Sequence, residues 1–160
     1  YTGFLYAGLM IDAEGNPSII EYNCRFGDPE TQPIMHRLRG DLGALCLAAL
    51  DGRLNEMTAE WDPRPAVGVV LAAGGYPGSY EKGHEIKGLN TDWPGTTRIF
   101  HAGTQQTGDS VVTQGGRVLC VSALGDSITD AIAAAYAGVD QISWEGMICR
   151  RDIGWRAIDR

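Results

Sequence analysis

Residues 3–12, largely apolar, and 18–26, in which polar and apolar positions alternate from Ile20 to Phe26, read as two strands. Ala13-Glu14-Gly15-Asn16-Pro17 between them is rich in turn formers, so the two segments are expected to pair as a hairpin. From 31 to 51 the spacing becomes helical, with Ile34, Leu38, Leu42, Leu45, Leu47 and Leu50 apolar. Gly40-Asp41 divides two predicted helices and Asp51-Gly52 ends the second. Residues 53–65 then mix charges with Trp61, Pro63 and Pro65 and are read as a boundary. The expected domains are 1–60 and 61–160.

In the second half, 67–73 is a continuous apolar run, followed by a Gly/Pro/Tyr loop to about residue 83. Further strands are expected at 84–88, 97–102, 110–113 and 117–124, with Gln114-Gly115-Gly116 as a tight hairpin connection. Residues 126–142 predict a helix: Ser127 is placed to cap it with Asp130 three residues on, and Ile128, Ile132, Ala135, Val139 and Ile142 form one stripe. A last strand is expected at 147–151. Antiparallel strands with one long helix predict an α+β class rather than a βαβ array.

Composition narrows the function. The 160 residues carry a net charge of −7 and no basic block, which argues against a nucleic-acid partner. No apolar run reaches the roughly 20 residues of a membrane span, and no signal segment opens the chain. Cys24, Cys46, Cys120 and Cys149 have wide, irregular spacing, which suits buried free thiols in a reducing cytoplasm better than zinc. The first residue is Tyr1 and a strand pattern starts almost at once, so a piece of a longer polypeptide is expected.

The chemistry concentrates in Glu21-Tyr22-Asn23-Cys24-Arg25-Phe26-Gly27-Asp28-Pro29-Glu30. On a strand, Glu21, Asn23 and Arg25 share one face at steps of roughly 7 Å, while Tyr22, Cys24 and Phe26 turn toward a core. Carboxylate and amide oxygens suit Mg²⁺, and a neighbouring guanidinium can grip the same phosphates. An ordinary solvated strand face is the plainer alternative. Beyond it, Asp28 or Thr31 could simply cap a helix that opens at Pro33. Capping explains Asp28 and Glu30 without any function, but it leaves Glu21, Asn23 and Arg25 unexplained. A plain role for Arg25 is a surface ion pair with Asp28 or Glu30.

Glu-x-Asn-x-Arg on such a strand resembles the metal-binding segment of ATP-grasp carboxylate–amine ligases. The run from Glu21 to Gln32 is similar to one branch, the glycinamide ribonucleotide synthetase family. The likeness continues through Ala72-Ala73-Gly74-Gly75-Tyr76-Pro77-Gly78, His101-Ala102-Gly103-Thr104, Gly115-Gly116-Arg117-Val118-Leu119 and Cys149-Arg150-Arg151-Asp152-Ile153-Gly154-Trp155-Arg156-Ala157. The resemblance implies that 1–60 is the C-terminal portion of an ATP-grasp domain, followed by the family's small, mostly antiparallel β domain with one long helix.

It further implies ATP-dependent joining of glycine to 5-phosphoribosylamine through glycyl phosphate, an early step of purine synthesis in the cytoplasm. Mg²⁺ (or Mn²⁺) would be the metal and ATP the co-substrate. Glu21 and Asn23 would be the metal ligands, Arg25 would join them at the phosphates and stabilise charge, and Asp28 would orient the amine. The acidic ligand that many ATP-grasp enzymes place on the preceding strand has no counterpart in Gly8-Leu9-Met10-Ile11, with Asp12 only at its end. The 72–78 loop would border the cleft, while His101, the 115–117 turn and Arg150 or Arg151 have plain structural readings beside any substrate contact. The family's enzyme also needs a lysine-bearing lobe and an N-terminal domain, so the chain alone is expected to be inactive. The rival readings are a ligase of the same superfamily with another acceptor, and a non-catalytic binding or assembly domain.

Overall fold

The computed structural model describes residues 1–158. Strands β1 (Tyr6–Ile11) and β2 (Pro17–Asn23) pair antiparallel, with a register shift between Gly8 and Leu9. Asp12 organises the turn between them: its Oδ1 accepts the Glu14 and Asn16 amides at 3.0 and 2.8 Å. Both faces of the hairpin are open. Ile19, Ile20 and Tyr22 are all more than half exposed and Cys24 is exposed, so the expected burial of Tyr22 and Cys24 does not occur. A two-stranded ribbon has no second layer of its own, and none of the other described elements covers this one.

Helices α1 (Thr31–Arg37) and α2 (Leu42–Leu50) follow. Helix α1 opens two residues before Pro33, and its cap position is Glu30, with no side-chain cap; neither Asp28 nor Thr31 serves as cap. Asp41 caps α2 by accepting the Ala44 amide at 3.1 Å. Residues 60–62 run beside the end of α1, where Arg39 N–H donates to Glu60 O and Asp62 N–H to Arg37 O.

Four strands form the main antiparallel sheet in the order β4 (Thr97–His101), β7 (Arg117–Leu124), β3 (Ala66–Ala72), β8 (Ile148–Cys149). Helix α3 (Ile128–Val139) covers one face, packing Ala131, Ala135 and Val139 into one cluster with Val69, Leu71, Leu119 and Val121. Helix α1 lies against the other face, at Gly68, Cys120 and Ser122. A Cβ on Gly68 would come 3.3 Å from Pro33 Cδ, so glycine lets the helix seat closely. Burial on both sides explains why 67–73 reads as an unbroken apolar run rather than an alternating one. The Ser127–Asp130 capping box forms as expected, but α3 stops at Val139 and Ile142 is buried beyond its end.

Three strand expectations are corrected. Residues 84–88 form only isolated bridges, Glu85 to Val112 and Lys87 to Ser143. The expected strand at 147–151 shortens to β8, since Arg150 and Arg151 turn away to pair with Asp152 and Asp140. Gln114-Gly115-Gly116 is not a hairpin: β6 (Ser110–Thr113) pairs with β5 (Thr104–Thr107), and the glycines carry the chain across to β7 in the other sheet. Gly103 and Gly115 are both needed for close approach: a Cβ on Gly103 would lie 2.5 Å from Gly115 Cα, and one on Gly115 2.9 Å from Gly103 Cα.

Candidate functional site

Glu21 and Asn23 share one face at the end of β2, and Asn23 Nδ2 donates to Glu21 Oε1 at 3.0 Å. Opposite Glu21 stands Gly8; a side chain there would press on Glu21 Cγ at 3.3 Å. Turning the amide over sets Asn23 Oδ1 beside the carboxylate, giving two adjacent oxygen donors. That pair fits part of the shell of Mg²⁺, which accepts a few protein oxygens and fills the rest with water and phosphate. No group of three or more His, Cys, Asp or Glu side chains with metal geometry occurs among the described residues. Asp12 serves the turn instead, and its hydrogen bonds, chiefly from Asn16, hold its pKa below the ordinary carboxylate value.

Arg25 departs from expectation. The strand ends at Asn23, and Arg25 sits in the bend after it, where Nη1 donates to Phe26 O at 2.8 Å. It pairs with neither Asp28 nor Glu30. Phe26 stacks on Phe4 with ring centroids 4.0 Å apart, so the bend is anchored by an aromatic contact rather than by strand pairing.

Asp28 is claimed from 89 residues away. Arg117, at the start of β7, donates through Nη1 to Asp28 O at 2.7 Å and forms an ion pair with Asp28 Oδ2 at 3.1 Å. Its Nε donates to Tyr76 Oη at 3.0 Å, and its guanidinium lies 5.9 Å from the Tyr76 ring centroid. The Tyr76 bond, followed by the charge of Asp28, raises the Arg117 pKa above its already high value. The 72–78 loop therefore delivers Tyr76 to this point, and Gly116 has no side chain because a Cβ would drive into that ring. A cavity of about 500 Å³ opens alongside, lined by Pro29, Tyr76, Arg117, Cys149 and Arg150 among others. Arg150 reaches it while holding Asp152 at 2.6 Å. Arg151 lies elsewhere, on Asp140, and His101 is exposed and paired with Thr104 Oγ1 at 3.0 Å.

Two buried groups beneath the site escaped the sequence reading. His36 on α1 pairs its Nδ1 with Ser122 Oγ at 3.0 Å, only 5% exposed. Burial, aided by the charge of Arg98, lowers its pKa to about 4. Asp62, fully buried, accepts from Arg64 Nε and Nη2 at 3.0 and 2.8 Å and is ion-paired with Arg39. The Arg64 bonds above all hold its carboxyl far below the ordinary range. Cys120, under α1, is pushed up to about 12 by burial, which leaves it an inert thiol. Cys24, by contrast, is exposed. The His36–Ser122 and Asp62–Arg39 pairings have no local spacing signature; only Asp62 with Arg64 is local.

A hairpin ending in a paired carboxylate and amide, followed by helices and a sheet covered on both faces, is the closing part of an ATP-grasp fold. Solved structures with that fold superpose on it. The biotin carboxylase domain of Hydrogenobacter thermophilus 2-oxoglutarate carboxylase, crystallised with MgADP, ADP and bicarbonate, matches 89% of this chain and 32% of its own, with a TM-score of 0.63 at 13% identity. Phosphoribosylamine–glycine ligase of Thermotoga maritima covers 92% of this chain and 36% of its own, with a TM-score of 0.73 at 39% identity.

The chain belongs to the phosphoribosylglycinamide synthetase family: the family's C domain matches residues 66–156 and its ATP-grasp (A) domain residues 1–31. Phosphoribosylamine–glycine ligases of Vibrio cholerae and Allochromatium vinosum are 62% and 59% identical over all 160 residues. The chain spans about 37% of the length of these curated relatives. Among the described residues, no helix is long and apolar enough to cross a membrane.

Proposed function

We propose that this chain forms the C-terminal part of a phosphoribosylamine–glycine ligase and supplies the phosphate-facing side of its ATP site. The observation that carries the reading is the Glu21–Asn23 pair, a carboxylate and an amide in contact on one strand face (Nδ2 to Oε1, 3.0 Å), in a chain 62% identical to a ligase of that name. Mg²⁺, held by Glu21 and Asn23, would screen the phosphate charge.

In the reaction proposed, a glycine carboxylate oxygen attacks the γ-phosphorus of ATP. The bond to the β-phosphate oxygen breaks, leaving ADP and glycyl phosphate. The amine nitrogen of phosphoribosylamine then attacks the acyl carbon, and phosphate departs with the C–O electron pair. Arg25, on its bend, swings its guanidinium toward the phosphoryl oxygens as charge moves from one to the next, the step where positioned charge counts most. Asp28 orients the amine and accepts the proton it sheds. On this reading the reaction is a step of purine synthesis, carried out in the cytoplasm.

The test is Glu21→Ala in the full-length polypeptide. Glu21 is exposed and supports no core contact, so Tm stays within a degree or two while kcat collapses. Near-normal turnover at saturating Mg²⁺ would overturn the ligand assignment.

A further inference from the structure

The loop from Gly27 to Glu30 joins the end of β2 to α1. Its own segment fixes both ends. Thr31 Oγ1 donates to Gly27 O, and Tyr6 Oη donates to Glu30 Oε1 at 3.4 Å. The middle of the loop has no such support: Asp28 caps no helix, and its side chain is 60% exposed. The contact there comes from Arg117, which holds the backbone carbonyl of Asp28 and its carboxylate with the same Nη1. The hydrogen bond orients the peptide, and the ion pair draws the carboxylate toward the same guanidinium. Arg117 is itself immobilised by Tyr76, through the Nε bond and the ring beneath. Only Oδ2 of Asp28 is engaged by it; Oδ1 has no hydrogen-bond partner among the described residues and can accept from a ligand N–H.

We propose that Arg117 is a positioning residue for the amine-transfer half of the reaction, aiming Asp28 Oδ1 at the acceptor amine from the 66–156 segment. The inference rests on the ligase reading above. It gives that segment a part in the chemistry besides enclosing the cleft, and it gives Tyr76 the task of holding Arg117. An acceptor amine is selected by a carboxylate with a fixed direction; freeing Asp28 weakens that selection while leaving ATP and glycine handling alone.

Kinetics of the full-length polypeptide test it, with Arg117→Ala, Arg117→Lys, Asp28→Ala and the double variant Arg117→Ala/Asp28→Ala. Losing a charge-assisted hydrogen bond of this kind should lower kcat/KM for the amine about tenfold or more, with the KM values of ATP and glycine near wild type. Arg117→Lys, which keeps the charge but not the fork, should recover part of that loss. The double variant should be no worse than Asp28→Ala, because Arg117 acts through Asp28. Unchanged amine kinetics in Arg117→Ala, an equal loss toward all three substrates, or losses that multiply in the double variant would overturn the proposal. A wild type without glycine- and amine-dependent ADP release would instead overturn the ligase reading, so the two failures are told apart.

Discussion

His36 should make this protein lose stability on mild acidification. It lies between α1 and the main sheet, 5% exposed, with Nδ1 on Ser122 Oγ and the Phe100 ring edge-on at 6.4 Å. A second proton would put a charge there with Arg98 and Arg64 nearby and only Asp62 to oppose them, and burial is the larger cost. The folded pKa is lowered to about 4 from 6.5, so the unfolded chain binds the proton more readily. A histidine with a depressed folded pKa contributes stability in full above about 6.5 and loses it as pH falls toward 4. Linkage then gives a loss of about 2 kcal/mol between pH 7 and 5, approaching roughly 3 kcal/mol below pH 4. Asp62, Asp12 and Asp152 have depressed values too, but lowered carboxylates lose their contribution only as pH drops below about 4. The window from pH 7 to 5 therefore isolates the imidazole. Urea unfolding at the two pH values, wild type against His36→Asn, measures it. Asparagine keeps a group that can meet Ser122 but cannot take up the proton, so its curve should be flatter by the predicted amount. Equal slopes for the two proteins would refute the reasoning.

Other consequences follow from packing and capping. Gly103→Ala should destabilise by roughly 1–3 kcal/mol in urea, because the new methyl meets Gly115 Cα and the Arg117 carbonyl with no flexible side chain to yield. Leu71→Ala, at a position with no exposed surface beneath α3, should cost about 2–5 kcal/mol in the same assay. Ser127→Ala breaks the capping box of α3 and should cost about 1 kcal/mol. The isolated 160 residues should release no ADP from ATP with glycine and the amine, since they span about 37% of the relatives' length; turnover by this chain would contradict that.

Much of the fold was legible because its signals are local. The 3.6-residue stripe and the Ser127–Asp130 spacing announced α3, and the apolar run 67–73 announced a strand. Glu21 and Asn23 were readable as neighbours because a period of two puts them on one side. Arg25 was misplaced by the same rule, which assumed a strand running three residues past the end the backbone makes. Residues 114–116 were misread because glycines in a turn and glycines in close approach look alike in sequence; only the contact between Gly103 and Gly115 separates them. Pairings such as Arg117 with Asp28, or His36 with Ser122, bridge 89 and 86 residues and leave no periodic trace.

The nucleotide complex of the full-length polypeptide with Mn²⁺ in place of Mg²⁺ allows the metal to be found by anomalous diffraction. An anomalous peak bonded to the Glu21 carboxylate and the Asn23 amide oxygen, bridging to the nucleotide phosphates, is the predicted result. A peak elsewhere, with both side chains facing solvent, would contradict the account.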